Sequence, residues 1–287
     1  MEKLPGKISK ELVIVIIVTV ILLGLIIALA LMRAILQHVV LIEKTANRKE
    51  KKQDSLAAPS WKSPDVATIS DTRAKELVSY GRELIASTAK YLGPEGTVSK
   101  LSNRMNCQNC HLDAGTKPFG NNYSRVFSTY PKFRARSGTK ETIVKRISDC
   151  FERSLNGTPP DSTGREMKAM VAYISFLGSE VKKGSPPKGS GIVKLAFLSR
   201  PADPLKGKLI YQAKCVSCHG SNGEGLPAAG KKTFTYPPLW GRDSYNDAAG
   251  LYRLSNFAGY IKTICLMVPV TKTSCSAMKK HGTWQLL

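Results

Sequence analysis

Cys107-Gln108-Asn109-Cys110-His111 and Cys215-Val216-Ser217-Cys218-His219 are two copies of one pattern, C-x-x-C-H. The pattern has a specific chemistry: two thiols add across the vinyl groups of a haem, and the adjacent histidine supplies one axial ligand to the iron. Two copies predict two covalently bound c-type haems, attached at Cys107 and Cys110 and at Cys215 and Cys218, with His111 and His219 as iron ligands. The competing reading is structural zinc, in which cysteine pairs sit about 15 to 20 residues apart and no histidine need follow. Here the pairs are far apart and a histidine follows both, which favours haem. The expected fold is mainly α, with two cytochrome c-type helical domains.

Helical periodicity surrounds both motifs. Leu77, Tyr80, Leu84, Ile85 and Thr88 recur at helical spacing, with Ser70 or Asp71 as the cap. A segment rich in Gly, Asn and Pro follows the first motif, and Glu141 to Leu155 is helical again. Thr163-Gly164-Arg165-Glu166 has capping-box spacing and starts a helix whose apolar face carries Met167, Met170, Val171, Ile174 and Leu177. That helix should pack across the first one. The run 182–191 has the composition of a linker. Pro204 to Lys214 opens a second domain, in which Gly220, Gly223 and Gly225 let the chain turn past the haem edge, 237–241 line the pocket, and Asn246 to Lys262 carry further helices.

Leu12 to Met32 holds no charge, and about 20 apolar residues match a bilayer-spanning helix. A secretory signal core is shorter, about 7 to 15 residues, and ends at a small-residue cleavage site. The expectation is an uncleaved single-pass anchor over 1–42, a charged tether over 43–70, a first cytochrome c domain over 71–182, a linker over 183–200 and a second domain over 201–287. Arg33, Lys44, Arg48, Lys49, Lys51 and Lys52 after the span favour a cytoplasmic position by charge bias. Haem attachment, which takes place on the outer face of the bacterial cytoplasmic membrane, favours the periplasm or outer face and is the more specific signal. The basic run can then lie on membrane lipid. The 43 Lys and Arg against 21 Asp and Glu give a net charge of +22. No nucleic-acid motif accompanies it, so an anionic substrate, an acidic redox partner or a lipid surface explains it better.

The sixth iron ligand is open from the residues alone. Met105, Met167, Met170 and Cys150 are the candidates in the first domain. Met167 and Met170 follow an apolar stripe that core packing explains, Met105 is too close to the attachment site, and a lone cysteine is commonly a small buried hydrophobe.

The runs 103–115 and 130–136, together with Arg146-Ile147-Ser148-Asp149-Cys150-Phe151-Glu152-Arg153-Ser154-Leu155-Asn156-Gly157, resemble the thiosulfate dehydrogenase family of dihaem cytochromes c. The resemblance extends from about Glu76 to Lys262, and C-x-x-R-S-x-N-G at Cys150 is its most specific part. It implies that the first haem is held by His111 and the Cys150 thiolate, and that two thiosulfates couple into tetrathionate with release of two electrons, or the reverse. A transient bond between Cys150 and the sulfane sulfur fits that chemistry. Two dianions need fixed cations, and Arg134, Arg136 and Arg153 are the candidates. Electrons would pass through the His219 haem to a redox partner cytochrome or quinol-linked acceptor.

After Lys262 the family continues with Asn-Met-Pro-x-Gly and a closing helix, and this chain does not. Reading each codon from the third base of the one written turns Met267-Val268 into a forced glycine and lets 263–265 spell Asn-Met-Pro. The same shift gives Glu at Met278 and a forced Ala at Trp284. The expectation is a frameshifted tail from about Thr263, with Met267, then Met278 and His281, as substitute ligands for the second haem if it is not. Two other functions remain: a non-catalytic electron carrier, and a haem-based gas sensor using an open second site.

Overall fold

The structure is a computed structural model that describes residues 19, 21–40, 61–196, 200–230 and 232–267. The chain divides into two units, Met1–Ala58 and Pro59–Leu287. The first holds helix α1 (Ile21–Val40), with a mean hydropathy of 2.0. Its 20 residues rise about 30 Å, the thickness of a bilayer's hydrocarbon core, and make it a candidate membrane span. The helix runs past the end of the uncharged stretch at Met32 through Arg33 and His38, while Leu12 to Val18 lie outside the described residues.

The second unit is mainly helical. Helix α2 (Thr72–Ala86) starts at Asp71, whose carboxylate accepts from the Ala74 amide at 2.6 Å. Helix α3 (Ile143–Arg153) is capped by the Thr142 hydroxyl, and α4 (Arg165–Leu177) lies across α2. The crossing is close enough to require glycine: a Cβ on Gly81 would stand 2.0 Å from the Ala169 carbonyl oxygen. Val78, Leu84 and Ile85 of α2 pack there with Met167, Met170, Tyr173 and Ile174 of α4 and Phe151 of α3. Burial of this order, about 1.5–3 kcal/mol for each large side chain, holds the first domain together.

The capping box at Thr163 does not form. Asp161 accepts from the Thr163 amide and hydroxyl at 2.9 and 3.0 Å, the Tyr80 hydroxyl donates to Glu166 at 3.1 Å, and Gly164 becomes the cap. Between the first C-x-x-C-H and α3, the segment rich in Gly, Asn and Pro contains an antiparallel hairpin, β1 (Lys132–Arg134) with β2 (Thr139–Glu141), so Glu141 ends a strand and the helix expected from it starts at Ile143.

Helix α5 (Pro204–Lys214) is capped by Asp203 and leads into the second motif. Gly220, Gly223 and Gly225 all have φ between 76° and 78°, the left-handed turns that their positions after His219 suggested. A short hairpin, β3 (Leu226–Pro227) with β4 (Phe234–Tyr236), precedes helix α6 (Leu254–Met267). Residues 263–267 therefore continue a helix where the family pattern has a turn; Met278 and His281 lie outside the described residues.

The two haem-motif regions meet through polar contacts. Arg104 pairs with Asp243 at 2.7 Å and lies 4.5 Å above the Phe234 ring, and Tyr260 donates to the Asn109 carbonyl at 2.7 Å. The Asn246 amide donates to the Arg153 carbonyl at 2.9 Å.

Candidate haem and anion site

The first motif forms a short turn in which the amide of His111 bonds the Cys107 carbonyl at 2.9 Å. That turn aims both thiols and the imidazole into one cleft, with about 1240 Å³ of atom-free space partly open to solvent. Thr88 anchors the near side: its hydroxyl oxygen accepts from the Cys107 amide at 3.0 Å and lies 3.3 Å from the Cys107 sulfur. His111 stacks on Tyr123, with ring centroids 4.4 Å apart. Its Nδ1 is 2.6 Å from the Asn121 carbonyl oxygen. A carbonyl only accepts, so Nδ1 carries the proton and Nε2 keeps a free lone pair. Burial lowers His111 to a pKa of about 4, which keeps the ring neutral at ordinary pH, and burial pushes the Cys107 and Cys110 thiols up to about 12.

Cys150 lines the same cleft from α3. Two thiols for attachment, a neutral imidazole with Nε2 available and a further sulfur donor on one cleft are a donor set that fits a c-type haem. At the second motif His219 repeats the tautomer: its Nδ1 lies 2.8 Å from the Pro237 carbonyl oxygen. Pro237 thus supports the second site, while Leu239, Trp240 and Gly241 line a cavity with Tyr245, Tyr252 and Phe257.

The expected cations separate into three groups. Arg134 lines the cleft and is steadied by buried Glu141, 3.7 Å from its Nε. Arg136 is absent from that lining; its guanidinium donates to the Ala248 carbonyl at 2.8 Å, although it adds to a positive field shared with Arg134, Arg146, Arg153 and Arg253. Arg153 is engaged elsewhere. Asp149, 1% exposed one turn before it on α3, takes Arg153 at 3.2 Å on one oxygen and Lys145 on the other, so the motif arginine neutralises a buried carboxylate.

Arg125, Lys132 and Arg146 also line the cleft and were not singled out from the sequence. Arg146 stands one turn before Cys150 on α3, and the nearby Cys150 sulfur is the first cause that raises the guanidinium above the ordinary arginine value. The signal was present, since Arg146 precedes Cys150 by four residues in a segment read as helix, and i, i+4 side chains share a face. The motif's Asn156 and Gly157 have a backbone role. Asn156 sits at φ 48° with its amide on the Arg242 carbonyl, and a Cβ on Gly157 would meet the Leu101 carbonyl oxygen at 2.1 Å.

Residues 97–182 match the family model for the SoxA/TsdA cytochrome c domain, and residues 205–259 match the model for cytochrome c. The thiosulfate dehydrogenase of Psychrobacter arcticus is 37% identical over 204 residues, covering 71% of this chain and 60% of that protein. The corresponding protein of Stutzerimonas stutzeri is 34% identical, with 65% and 59% covered. This chain therefore spans about six tenths of the length of those two relatives. Among solved structures, thiosulfate dehydrogenase (TsdBA) from Marichromatium purpuratum in its "as isolated" form superposes with a TM-score of 0.67 at 25% identity, over 79% of this chain and 48% of that one. The thiosulfate dehydrogenase of Allochromatium vinosum is 35% identical over 69% of this chain and 73% of its own length. With two cytochrome c domains that imply covalently bound haem, and with relatives at this identity and coverage, the chain belongs to the thiosulfate dehydrogenase family of c-type cytochromes.

Proposed function

We propose that this protein couples two thiosulfates into tetrathionate, or runs the reverse, in the cleft shared by His111 and Cys150. The observation that carries the reading is a cysteine sulfur and a half-buried arginine one turn apart on one helix face, in a cleft whose wall adds Arg125, Lys132 and Arg134. A c-type haem bound there supplies a one-electron acceptor, so the two electrons released per tetrathionate can leave singly.

The residues divide the work. His111 would hold the haem iron through Nε2, and Cys107 and Cys110 would hold the haem covalently. Arg146 and Arg134 bind sulfonate oxygens, because guanidinium offers paired donors in a fixed fork and stays charged. Their charges also offset the repulsion of two dianions, which at close approach in a poorly solvated cleft opposes the coupling by several kcal/mol. Cys150, which would also ligate the haem iron, is the nucleophile: its thiolate bonds the sulfane sulfur of the first thiosulfate, and the two electrons released would be taken up by the two haems. The second thiosulfate attacks that sulfur, the new sulfur–sulfur bond makes tetrathionate, and the Cys150 thiolate is the leaving group.

The Cys215, Cys218 and His219 motif would bind a second haem, which would supply the outlet for electrons to a redox partner cytochrome or a quinol-linked acceptor. Helix α1 anchors the protein in the bacterial cytoplasmic membrane with the haem domains on the outer face, and the basic residues after it lie on membrane lipid.

The direct test is tetrathionate formation with an artificial electron acceptor by the intact protein and by Cys150→Ala. Loss of turnover with both haems still attached supports the reading. Undiminished turnover in Cys150→Ala removes Cys150 from the chemistry, and absence of turnover in the unmodified protein in both directions leaves an electron carrier.

A further inference from the structure

The segment read as a linker is tied to the first site along its middle. Gly189 accepts from the Phe119 amide at 2.6 Å, and Gly191 accepts from the Asn121 amide at 3.0 Å. The Ser190 and Ser124 hydroxyls pair at 2.9 Å. Asn121 is the residue whose carbonyl takes the Nδ1–H of His111. Asn121 is therefore held at both of its backbone polar groups, the amide by the linker and the carbonyl by the imidazole.

The loop that carries Asn121 needs this restraint. Phe119 and Asn121 stand at φ 60° and 57°, a left-handed conformation that non-glycine residues keep only where their surroundings impose it. The buried side chain of Asn122, 4% exposed, joins the two layers. Its amide nitrogen donates to the Lys117 carbonyl at 3.0 Å within the loop and to the Gly189 carbonyl at 2.7 Å on the linker, while its oxygen accepts from the Ser124 hydroxyl at 2.7 Å.

We infer that residues 187–191 form a strap that positions His111, and that Asn122 is the positioning residue that clasps it. By fixing the Asn121 carbonyl against Nδ1–H, the strap raises the electron-donating strength of Nε2 toward the haem iron. A stronger donor favours the ferric state and lowers the potential of that haem. The second site lacks this connection by chemistry, because the carbonyl that receives His219 belongs to Pro237, whose nitrogen has no hydrogen to tie to a strap. The inference rests on the reading of a haem at each motif and is independent of which substrate is oxidised.

The test is a redox titration of the intact two-haem protein and of Asn122→Ala, followed by absorbance and low-temperature electron paramagnetic resonance, with no thiosulfate present. The expected result is an upward shift of the first haem's potential and a change in its ferric resonance, with the second haem's potential unmoved. Ser190→Ala, which removes one hydroxyl on the strap and touches no other part of the first site, should give a smaller shift of the same sign. An unmoved first potential, a downward shift, or equal shifts of both haems overturns the inference; if Asn122→Ala fails to fold, Ser190→Ala decides by the same criteria. A protein with no thiosulfate activity would still give both potentials, so failure of the substrate reading is distinguishable.

Discussion

The two C-x-x-C-H sites share their proximal chemistry and differ in what covers them. Each motif forms a short turn with a histidine whose Nδ1 is held by a backbone carbonyl, at 2.6 Å for His111 and 2.8 Å for His219. The helices that open the two domains then part ways. On α2, Leu84 and Ile85 are sealed beneath α4 at the Gly81 crossing, whereas on α5 Leu205 and Leu209 are 79% and 66% exposed. Around His111, burial moves the titration of the imidazole and both thiols by large amounts. A haem-attachment motif thus specifies only one side of a site. The other side depends on elements far along the chain, and for the first motif these are α3 with Cys150 and the covering helix α4.

This contrast can be broken most severely at Cys150. Cys150→Ala should lower thiosulfate turnover by at least about a thousandfold, the scale on which enzymes lose activity without their nucleophile. The absorbance of the second haem should stay as it was, and a combined activity and spectral assay checks both.

The packing difference predicts unequal costs on the opening helices. Leu84→Ala should destabilise the first domain by about 3 kcal/mol, the usual cost of truncating a fully buried leucine. Leu209→Ala should change stability by no more than about 0.5 kcal/mol, as expected for an exposed side chain. Denaturant unfolding read from the absorbance of each haem measures the two.

Within the cleft, the arginines should rank by geometry. Arg146→Met should lower kcat/KM for thiosulfate about 100-fold, or about 2.7 kcal/mol of transition-state stabilisation. Arg136→Ala, whose guanidinium bonds the Ala248 carbonyl outside the cleft lining, should cost no more than about threefold, through weakened steering that added salt reproduces in the unmodified protein. Steady-state kinetics at two ionic strengths separates them.

Much of this arrangement was legible in the residues. The motifs fall within the two cytochrome c domains, and the helical periodicities of α2 and α4 announced the pair that crosses at Gly81. Local signals competed where two readings shared a residue. Thr163 had the spacing of a capping box, but Asp161 two residues earlier offered its hydroxyl a nearer acceptor. Arg153 looked like a substrate cation because it belongs to the motif, yet Asp149 lies four residues before it on the same helix face and is buried, so the ion pair claims it. Arg146 was overlooked for the complementary reason: its value comes from its position one turn before Cys150 and from the cleft wall around it.

Other features depend on tertiary position and leave no local trace. The distance of Arg136 from the cleft follows from where 244–249 settle, and the Gly, Pro and Ser of the linker describe a flexible composition without revealing which amides its carbonyls accept. The tail from Thr263 stands apart. Helix α6 carries on to Met267, while the family model for cytochrome c matches only as far as residue 259.

The central claim is that electrons from thiosulfate enter at the His111 and Cys150 cleft. The measurement that tests it most directly is anaerobic addition of thiosulfate to the oxidised protein, with the haem absorbance followed in time and ascorbate as the control reductant. The account predicts rapid reduction by thiosulfate, its loss in Cys150→Ala, and, for a protein poised toward the reverse reaction, rapid oxidation of the reduced haems by tetrathionate. Haems that respond to ascorbate and to neither sulfur compound would contradict it.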